Sequence, residues 1–594
     1  LGDSSVATPQ LLDGGELDYI VYDYLAEVTL SIMARARAKD ANMGYATDFI
    51  SSALKHNLPA IAKQGVKVIS NAGGVNPKAC GEAARVLIAE MGLDLTVAVV
   101  TGDDLLDAND LDLSNSKEMF SGEAFPKAES VVSINAYLGA FPIAQALAEG
   151  ADIVITGRSV DSAVTLAACI YEFGWQPNDW DQLSSGTLAG HIIECGTQAT
   201  GGNFTDWQQV VDSLDRAGYP IAEVKVDGSF DIVKPANTGG MVSVGTVSEQ
   251  MLYEIGDPQA YLMPDVVCDF SQVLISQLAE DRVNVSGAIG YPATDSYKVS
   301  ATYADGWRGG SLYNFCGIDA DKKAEAFAEL VLKRVRSVFQ ARQMEDFKEV
   351  SIEVMGAETH YGDFQQLESS REVVLKLAAR HADAKAIAIL LKEVTGLALS
   401  APPGLSIFAG ARPKPSPVVR LFSFLIPKHK LSIQIDNGQE LTEFQPLSIE
   451  HSAKKKIQIK PVPAVDCQDL KGMAVVPLVT LAWARSGDKG DKANIGVIAR
   501  QPEFLPYIIQ SLTVDSVAKR FAHFMEKGGS EEPVECFLLP GSNAINFLIH
   551  HVLGGGGMAS LRSDAQGKAY AQILLDHPIV IPEQLLDPSA ETLK

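Results

Sequence analysis

Three short and nearly uninterrupted apolar runs in the first third of the chain constrain the fold more than any other feature. They occupy residues 66–70, 95–100 and 152–156, and Val97-Ala98-Val99-Val100 and Ile153-Val154-Ile155 show their texture. A strand that covers one face of a core alternates apolar and polar residues, whereas a strand buried on both faces is apolar throughout. Stretches of helical character alternate with these runs, at 78–91, 140–149 and 159–173. Strands alternating with helices of about 10–15 residues read as βαβ units around a parallel sheet. Ligands of such sheets lie outside the carboxyl ends of the strands. The loops at 71–77, 101–104 and 156–162 are therefore where chemistry is expected.

Upstream, residues 17–23 read as a further strand, with helices expected over 26–38 and 46–64 and a short β-like run at 131–134. From about 205 to 320 the texture changes to short β-like runs, including 222–226, 242–244, 283–285 and 297–303, between Gly- and Pro-containing turns. A helix at 322–342, a strand at 350–354 and a helix at 368–395, broken near His381, follow. Pro402, Pro403, Pro413, Pro415 and Pro417 make the next segment a rigid loop. The polar residues 428–473 read as a linker. The last stretch predicts a strand (475–484), a loop (485–494), a strand (495–499), a helix (502–525), a strand (535–539) and a helix (542–553). The expected fold is α/β. A large, mostly parallel-sheet domain (1–427) carries an α+β insertion at 205–320, and a small ferredoxin-like α+β domain (474–594) follows the linker.

Charge narrows the partners. The 594 residues hold 49 basic and 74 acidic side chains, a formal charge of −25. Residues 474–594 hold 10 basic and 13 acidic ones, so nearly all of the acidity lies upstream. Nucleic-acid binding needs a concentrated basic face, and Lys454-Lys455-Lys456 is too short for one. The 7 cysteines are scattered and form no C-x-x-C pair, which points to a reducing, cytoplasmic setting. No apolar run is long enough to span a bilayer. A small-molecule substrate and, on base rates, a homo-oligomer are expected.

Six strings carry candidate chemistry. In Ser70-Asn71-Ala72-Gly73-Gly74-Val75-Asn76-Pro77, the amides around Asn71, Gly73, Gly74 and Asn76 could cradle an anion at a helix start. The alternative is a tight turn with Asn76 as cap and Pro77 at the first helical position. In Thr156-Gly157-Arg158-Ser159-Val160-Asp161-Ser162, Gly157 allows the turn, Ser159 can cap, Arg158 offers a fork to a carboxylate or phosphate, and Asp161 is a candidate base. Asp23 and Glu27 are four apart, a spacing for paired acid/base groups or for a cap with a first-turn acid. His191, Glu194 and Cys195 form a weaker group in which structural roles dominate. Thr238-Gly239-Gly240 is a second candidate cradle or a bulge, with Glu249 and Tyr253 beyond it.

The sixth string, residues 483–496, is the most distinctive. It places Arg485, Gly487, Lys489 and Asn494 for an anionic ligand and Asp488 and Asp491 for a cation between two apolar strands. Inter-domain docking is the competing role. No nucleophile elbow, dinucleotide fingerprint or Walker loop occurs, which argues against a triad hydrolase or a simple nicotinamide enzyme.

Arg485-Ser486-Gly487-Asp488-Lys489-Gly490-Asp491 with Asn494-Ile495-Gly496 resembles the hallmark of the C-terminal domain of the acyclic terpene utilisation, AtuA-like family. Tyr22-Asp23-Tyr24-Leu25-Ala26-Glu27-Val28-Thr29, Asn71-Ala72-Gly73-Gly74 and Thr156-Gly157-Arg158-Ser159-Val160-Asp161 are similar to its large domain, so the resemblance spans nearly the whole chain. It implies a large α/β domain with a ferredoxin-like one, and breakdown of citronellol- and geraniol-type compounds or related branched acids through acyl-CoA intermediates. It supplies no established reaction. Family members usually start earlier, with a strand and a Gly-rich turn of which Leu1-Gly2-Asp3-Ser4 looks like the remnant, so Asp3 and Ser4 are further candidates for the site. The resulting expectation is an enzyme of lyase, hydratase or hydrolase type on a branched acyl-CoA or its acid, with no cofactor required. The alternatives are an accessory subunit for acyl-CoA enzymes and a Mg²⁺-assisted enzyme using Asp488 and Asp491.

Overall fold

The large domain is centred on strands β1 (Tyr19–Tyr22), β2 (Lys67–Ser70), β3 (Val97–Thr101) and β5 (Ile153–Thr156), with β4 (Val131–Ala136) set apart from them. They pair in parallel in the order β1-β2-β5-β3. The computed structural model describes residues 4–25, 27–108, 111–408, 413–445, 458–461, 472–525 and 532–586. Seven helices accompany these strands: α1 (Ser4–Asp13), α2 (Glu27–Lys39), α3 (Leu58–Gln64), α4 (Pro77–Glu90), α5 (Phe141–Ala148), α6 (Ala163–Phe173) and α7 (Trp180–Ile193). The apolar runs have the cause assigned to them. Ile153 and Ile155 enter one core with Ile20 and Val68, while Val154 between them enters another with Ile69 and Ala98.

Parallel pairing stops there. β4 lies antiparallel to a much later strand instead of in the parallel sheet. The insertion holds β6 (Ile221–Val224), β7 (Phe230–Val233), α8 (Val244–Met251), β8 (Tyr261–Leu262), β9 (Val267–Asp269), β10 (Leu274–Ala279), β11 (Arg282–Ser286) and β12 (Ile289–Tyr291). Its strands form two antiparallel sheets, β10-β11-β7-β6 and β12-β9-β8. The β-like run at 242–244 is instead a helix start, where Ser243 and Thr246 form a reciprocal cap on α8.

β13 (Ser296–Cys316) is far longer than the expected 297–303, at 21 residues. α9 (Ala320–Ala341), β14 (Glu349–Met355), β15 (Glu372–His381), α10 (Ala384–Leu397), β16 (Leu405–Ser406), β17 (Ser416–Pro427), β18 (Gln434–Asp436) and β19 (Leu441–Glu443) follow. The first half of β13 pairs with β4 and β17 and the second half with β15 and β16. Two expectations change here. The helix predicted over 368–395 is a strand followed by a helix: Glu372-Val373-Val374-Leu375 alternates exposed and buried residues, and Asp383 restarts the chain by capping α10. The start of the expected linker is also part of the large domain, because β18 runs antiparallel to β3 and extends its sheet. Residues 446–457 and 462–471 of that linker lie outside the described residues.

The small domain contains β20 (Met473–Pro477), β21 (Ala482–Lys489), β22 (Lys492–Ala499), α11 (Leu505–Ser511), α12 (Val514–Phe521), β23 (Val534–Leu539), β24 (Ala544–Ile549), α13 (Gly556–Ala559), α14 (Tyr570–Leu574) and β25 (Pro578–Pro582). Its main sheet is antiparallel, β21-β22-β24-β23. The expected loop 485–494 is the turn and inner strands of the β21–β22 hairpin, with Gly490 at φ 66°. The expected helix 542–553 is β24, whose apolar run is as compatible with a buried strand as with a helix.

Ala493, Ile495 and Val497 face the small domain's own core. The opposite face docks on the large domain around α8. Trp483 Nε1 donates to Asp206 at 2.8 Å, Arg485 Nη1 and Nη2 donate to the Asn203 and Gly202 carbonyls at 2.8 and 3.0 Å, and Asn494 Nδ2 donates to the Leu252 carbonyl at 2.6 Å. Asn494→Ala leaves the Leu252 carbonyl without its donor in a dry seam, where an unsatisfied polar group costs about 1–3 kcal/mol. A lower urea midpoint of that size is expected, and a change below about 0.5 kcal/mol would show that the bond does not hold the domains.

Candidate functional site

The parallel strands end in polar turns, and three of these turns meet. Asp23 follows β1 and its Oδ1 accepts from Asn71 Nδ2, just past β2, at 2.5 Å. Asn71 Oδ1 in turn accepts the Tyr24 N–H at 2.7 Å. After β5, Arg158 donates through Nη1 to the Leu25 carbonyl at 2.8 Å and to Asp161 at 2.6 Å, with its guanidinium 4.1 Å from the centre of the Tyr137 ring. Arg158 is 3% exposed and Asp161 38% exposed, so the arginine is a buried brace and the carboxylate faces the open side.

Asp103, past β3, fixes this turn from behind. It accepts the Arg158 backbone N–H at 2.8 Å and Asn135 Nδ2 at 2.9 Å. A Cβ on residue 157 would sit 2.2 Å from the Asp103 carboxylate, which requires the glycine there.

The 71–77 turn has a different role from the expected anion cradle. The N–H groups of Gly73, Gly74, Val75 and Asn76 donate to the carbonyls of Thr156, Asn71, Gly44 and Gly73, and Asn76 caps α4. With those donors engaged within the protein, the turn positions Asn71. Glu27 opens α2, and its side chain lies outside the described residues, as does Asp3 and the side chain of Ser4. The Oγ atoms of Ser159 and Ser162 are buried without a hydrogen-bond partner among the described residues.

The end of α7 adds a second group. His191 Nδ1 lies 3.1 Å from Glu194 Oε1, and Cys195 follows. Burial first, then repulsion from Asp161 and Glu194, holds the Asp23 carboxyl well above the usual carboxylate range. Glu194 is raised by burial too, with His191 pulling the other way. Asp23 and Glu194 are thus both shifted toward their protonated forms. Burial, reinforced by these acids, also pushes the Cys195 thiol up, which makes a poor thiolate nucleophile of it.

The small domain supplies the cation. Lys489, at the hairpin tip, reaches within 5.8 Å of the Tyr261 ring centre. Burial works against its charge, but Tyr261, Glu254, Asp161 and Glu194 outweigh it and raise the ammonium above its ordinary value. Lys489 also remains open to solvent. Lys568 Nζ donates to Tyr253 Oη at 2.5 Å and to Asp488 at 3.1 Å, and pairs with Glu254. Tyr261, Glu254 and Lys568 carried no signal in the sequence, because only the fold brings them together.

The remaining residues of the hairpin are structural. Arg485, Gly487 and Asn494 pack in the seam. Asp488 engages Lys568, while Asp491 accepts the Gly555 N–H at 2.6 Å and lies 3.4 Å from His551, so the two aspartates serve different partners. No group of three or more His, Cys, Asp or Glu side chains suited to a metal ion occurs among the described residues, so Asp488 and Asp491 are not part of one. A cavity of about 670 Å³ reaches Asp23, Glu194 and Cys195 along the outer edge of β1. One of its walls is the free edge of a sheet, a surface for strand pairing as much as for a ligand, so the polar groups define the site.

Asp103 gives the site a pH signature. Burial pushes its carboxyl up to about 7, against the pull of the Arg158 N–H and Asn135. Glu249, buried beside Arg485, is also pushed up by burial to about 7. In both the folded state favours the proton, so their contribution is full below the unfolded carboxyl range near about 4 and is lost as pH rises through about 7. The thermal midpoint is expected to fall between about pH 5 and about pH 8, and Asp103→Asn to flatten that fall in part. Parallel curves for the two proteins would remove Asp103 as a source.

Comparison with known proteins places this arrangement. No helix among the described residues is long and apolar enough to cross a membrane. No curated protein and no solved structure matches the chain. Residues 1–437 match the acyclic terpene utilisation family protein AtuA, and residues 476–580 match the AtuA ferredoxin-like domain. With the greater part of its length matched and both domains accounted for, the chain belongs to the acyclic terpene utilisation AtuA family.

Proposed function

We propose that the chain is an acid–base enzyme for a branched, terpene-derived acyl-CoA thioester, working where the hairpin of its small domain meets the strand ends of the large one. The observation that carries this reading is the placement of Asp23, Asp161 and Glu194 at one strand-end cluster, with Lys489 brought to it by the other domain. Two carboxyls raised to different degrees can divide the roles of acid and base. Asp23, raised the further, serves as the acid, and Glu194, backed by His191, as the base. Lys489 can take up negative charge that develops on a thioester oxygen. This set suits addition or elimination at the carbons next to the thioester, as in a hydratase or lyase.

The same electrostatics favour a thioester over a free acid. A substrate carboxylate would meet Asp161, Glu194 and Glu254 at close range, whereas a thioester carbonyl brings no charge to them. The anionic nucleotide end then lies outside the cluster. Family membership supports a branched hydrocarbon portion.

Calorimetry of the full chain with branched, linear and free-acid ligands tests this reading. Selective binding of a branched acyl-CoA is expected, with turnover lost about 100-fold or more in Asp23→Asn and Lys489→Ala. Absence of binding by every thioester, or equal binding of the free acid, would overturn it.

A further inference from the structure

Glu254 follows the C-terminal end of α8 with φ 56°, in the left-handed region. That position after a helix commonly goes to glycine, and a side chain there is strained. Its stem and head are both clamped. A Cβ on residue 487 would lie 2.4 Å from Glu254 Cγ, so the hairpin backbone presses on the stem. Lys568 holds the carboxylate and also donates to Tyr253 and Asp488. The element pressed against Glu254 is the one that carries Lys489 at its tip.

We propose that Glu254 is a positioning residue: clamped by the Gly487 backbone and by Lys568, its carboxylate holds the Lys489 ammonium toward the Asp23–Asp161–Glu194 cluster. This deepens the proposed function and rests on it only for what Lys489 does there. The groups facing Lys489 are Tyr261 on β8, Asp161 ahead of α6, Glu194 after α7 and Glu254 after α8. Glu254 sits in direct contact with the hairpin backbone at Gly487 and is tied to the small domain by its ion pair with Lys568. The strained residue thus links domain docking to the placement of the site's cation.

Competitive acetylation of the full chain with acetic anhydride, read by mass spectrometry across alkaline pH, tests this without a substrate. Losing the Glu254 carboxylate is expected to move the Lys489 midpoint down by about one pH unit, so that Lys489 labels about tenfold faster at a pH below both midpoints. Glu254→Gln and Glu254→Gly should both do so. The glycine variant suits the left-handed backbone, so its fold is retained and its thermal midpoint is not lowered. Lys568, a direct partner, should label faster in both and reports that the substitution was felt. A purely structural role for Glu254 predicts parent-like Lys489 labelling in the glycine variant, and a change below about twofold would overturn the proposal. Faster Lys489 labelling together with no acyl-CoA binding would sustain the positioning role and sink the proposed reaction.

Discussion

Arg485 and Asn494 lie in the seam between the domains, 6% and 0% exposed, and both donate to backbone carbonyls of the large domain. An apolar seam tolerates sliding, because one methyl group packs nearly as well as its neighbour. Donors aimed at particular carbonyls do not, since a small shift leaves a buried polar group unpaired. A buried guanidinium is costly unless it is compensated, and here Glu249 lies 3.7 Å away and two carbonyls accept its protons. The seam thus fixes where the tip of the β21–β22 hairpin stands, and the strand-end cluster receives its cation from that tip.

The charge balance of the chain takes on meaning at this cluster. Asp23, Asp161, Glu194 and Glu254 surround a smaller number of cations, on a chain of net −25. Burial, with this field added, favours the proton on Asp23, while the field keeps the Lys489 ammonium charged and repels anions. Acidity that looks like a matter of solubility in the composition acts locally on these few groups.

How much of this could be read from the chain depended on range. Strands apolar at every position announced the parallel sheet, and the loops after β1, β2 and β5 did converge. Asp103 lay in a recognised loop, but its bond to the Arg158 N–H spans 55 positions and leaves no local mark. The hairpin was hidden by its own composition. Taken as a loop, residues 485–494 look like a mixed set of ligands. Taken as a strand, Trp483, Arg485, Gly487 and Lys489 are every second residue, so they share the docking face. Polar residues on a strand face imitate a loop when that face is buried against another domain. Glu254 was invisible for a different reason, because its partner Lys568 is 314 positions away and its backbone angle has no signature in residue type.

β13 pairs with β4 and β17 along its first part and with β15 along its second, all within one sheet. That long strand is a continuous beam through the large domain, and bending it would shear hydrogen bonds to all three partners. Among the described residues, the strands of the small domain, by contrast, pair only with one another. Where Lys489 stands relative to the strand-end turns therefore rests on a few side-chain bonds across the seam rather than on a shared strand.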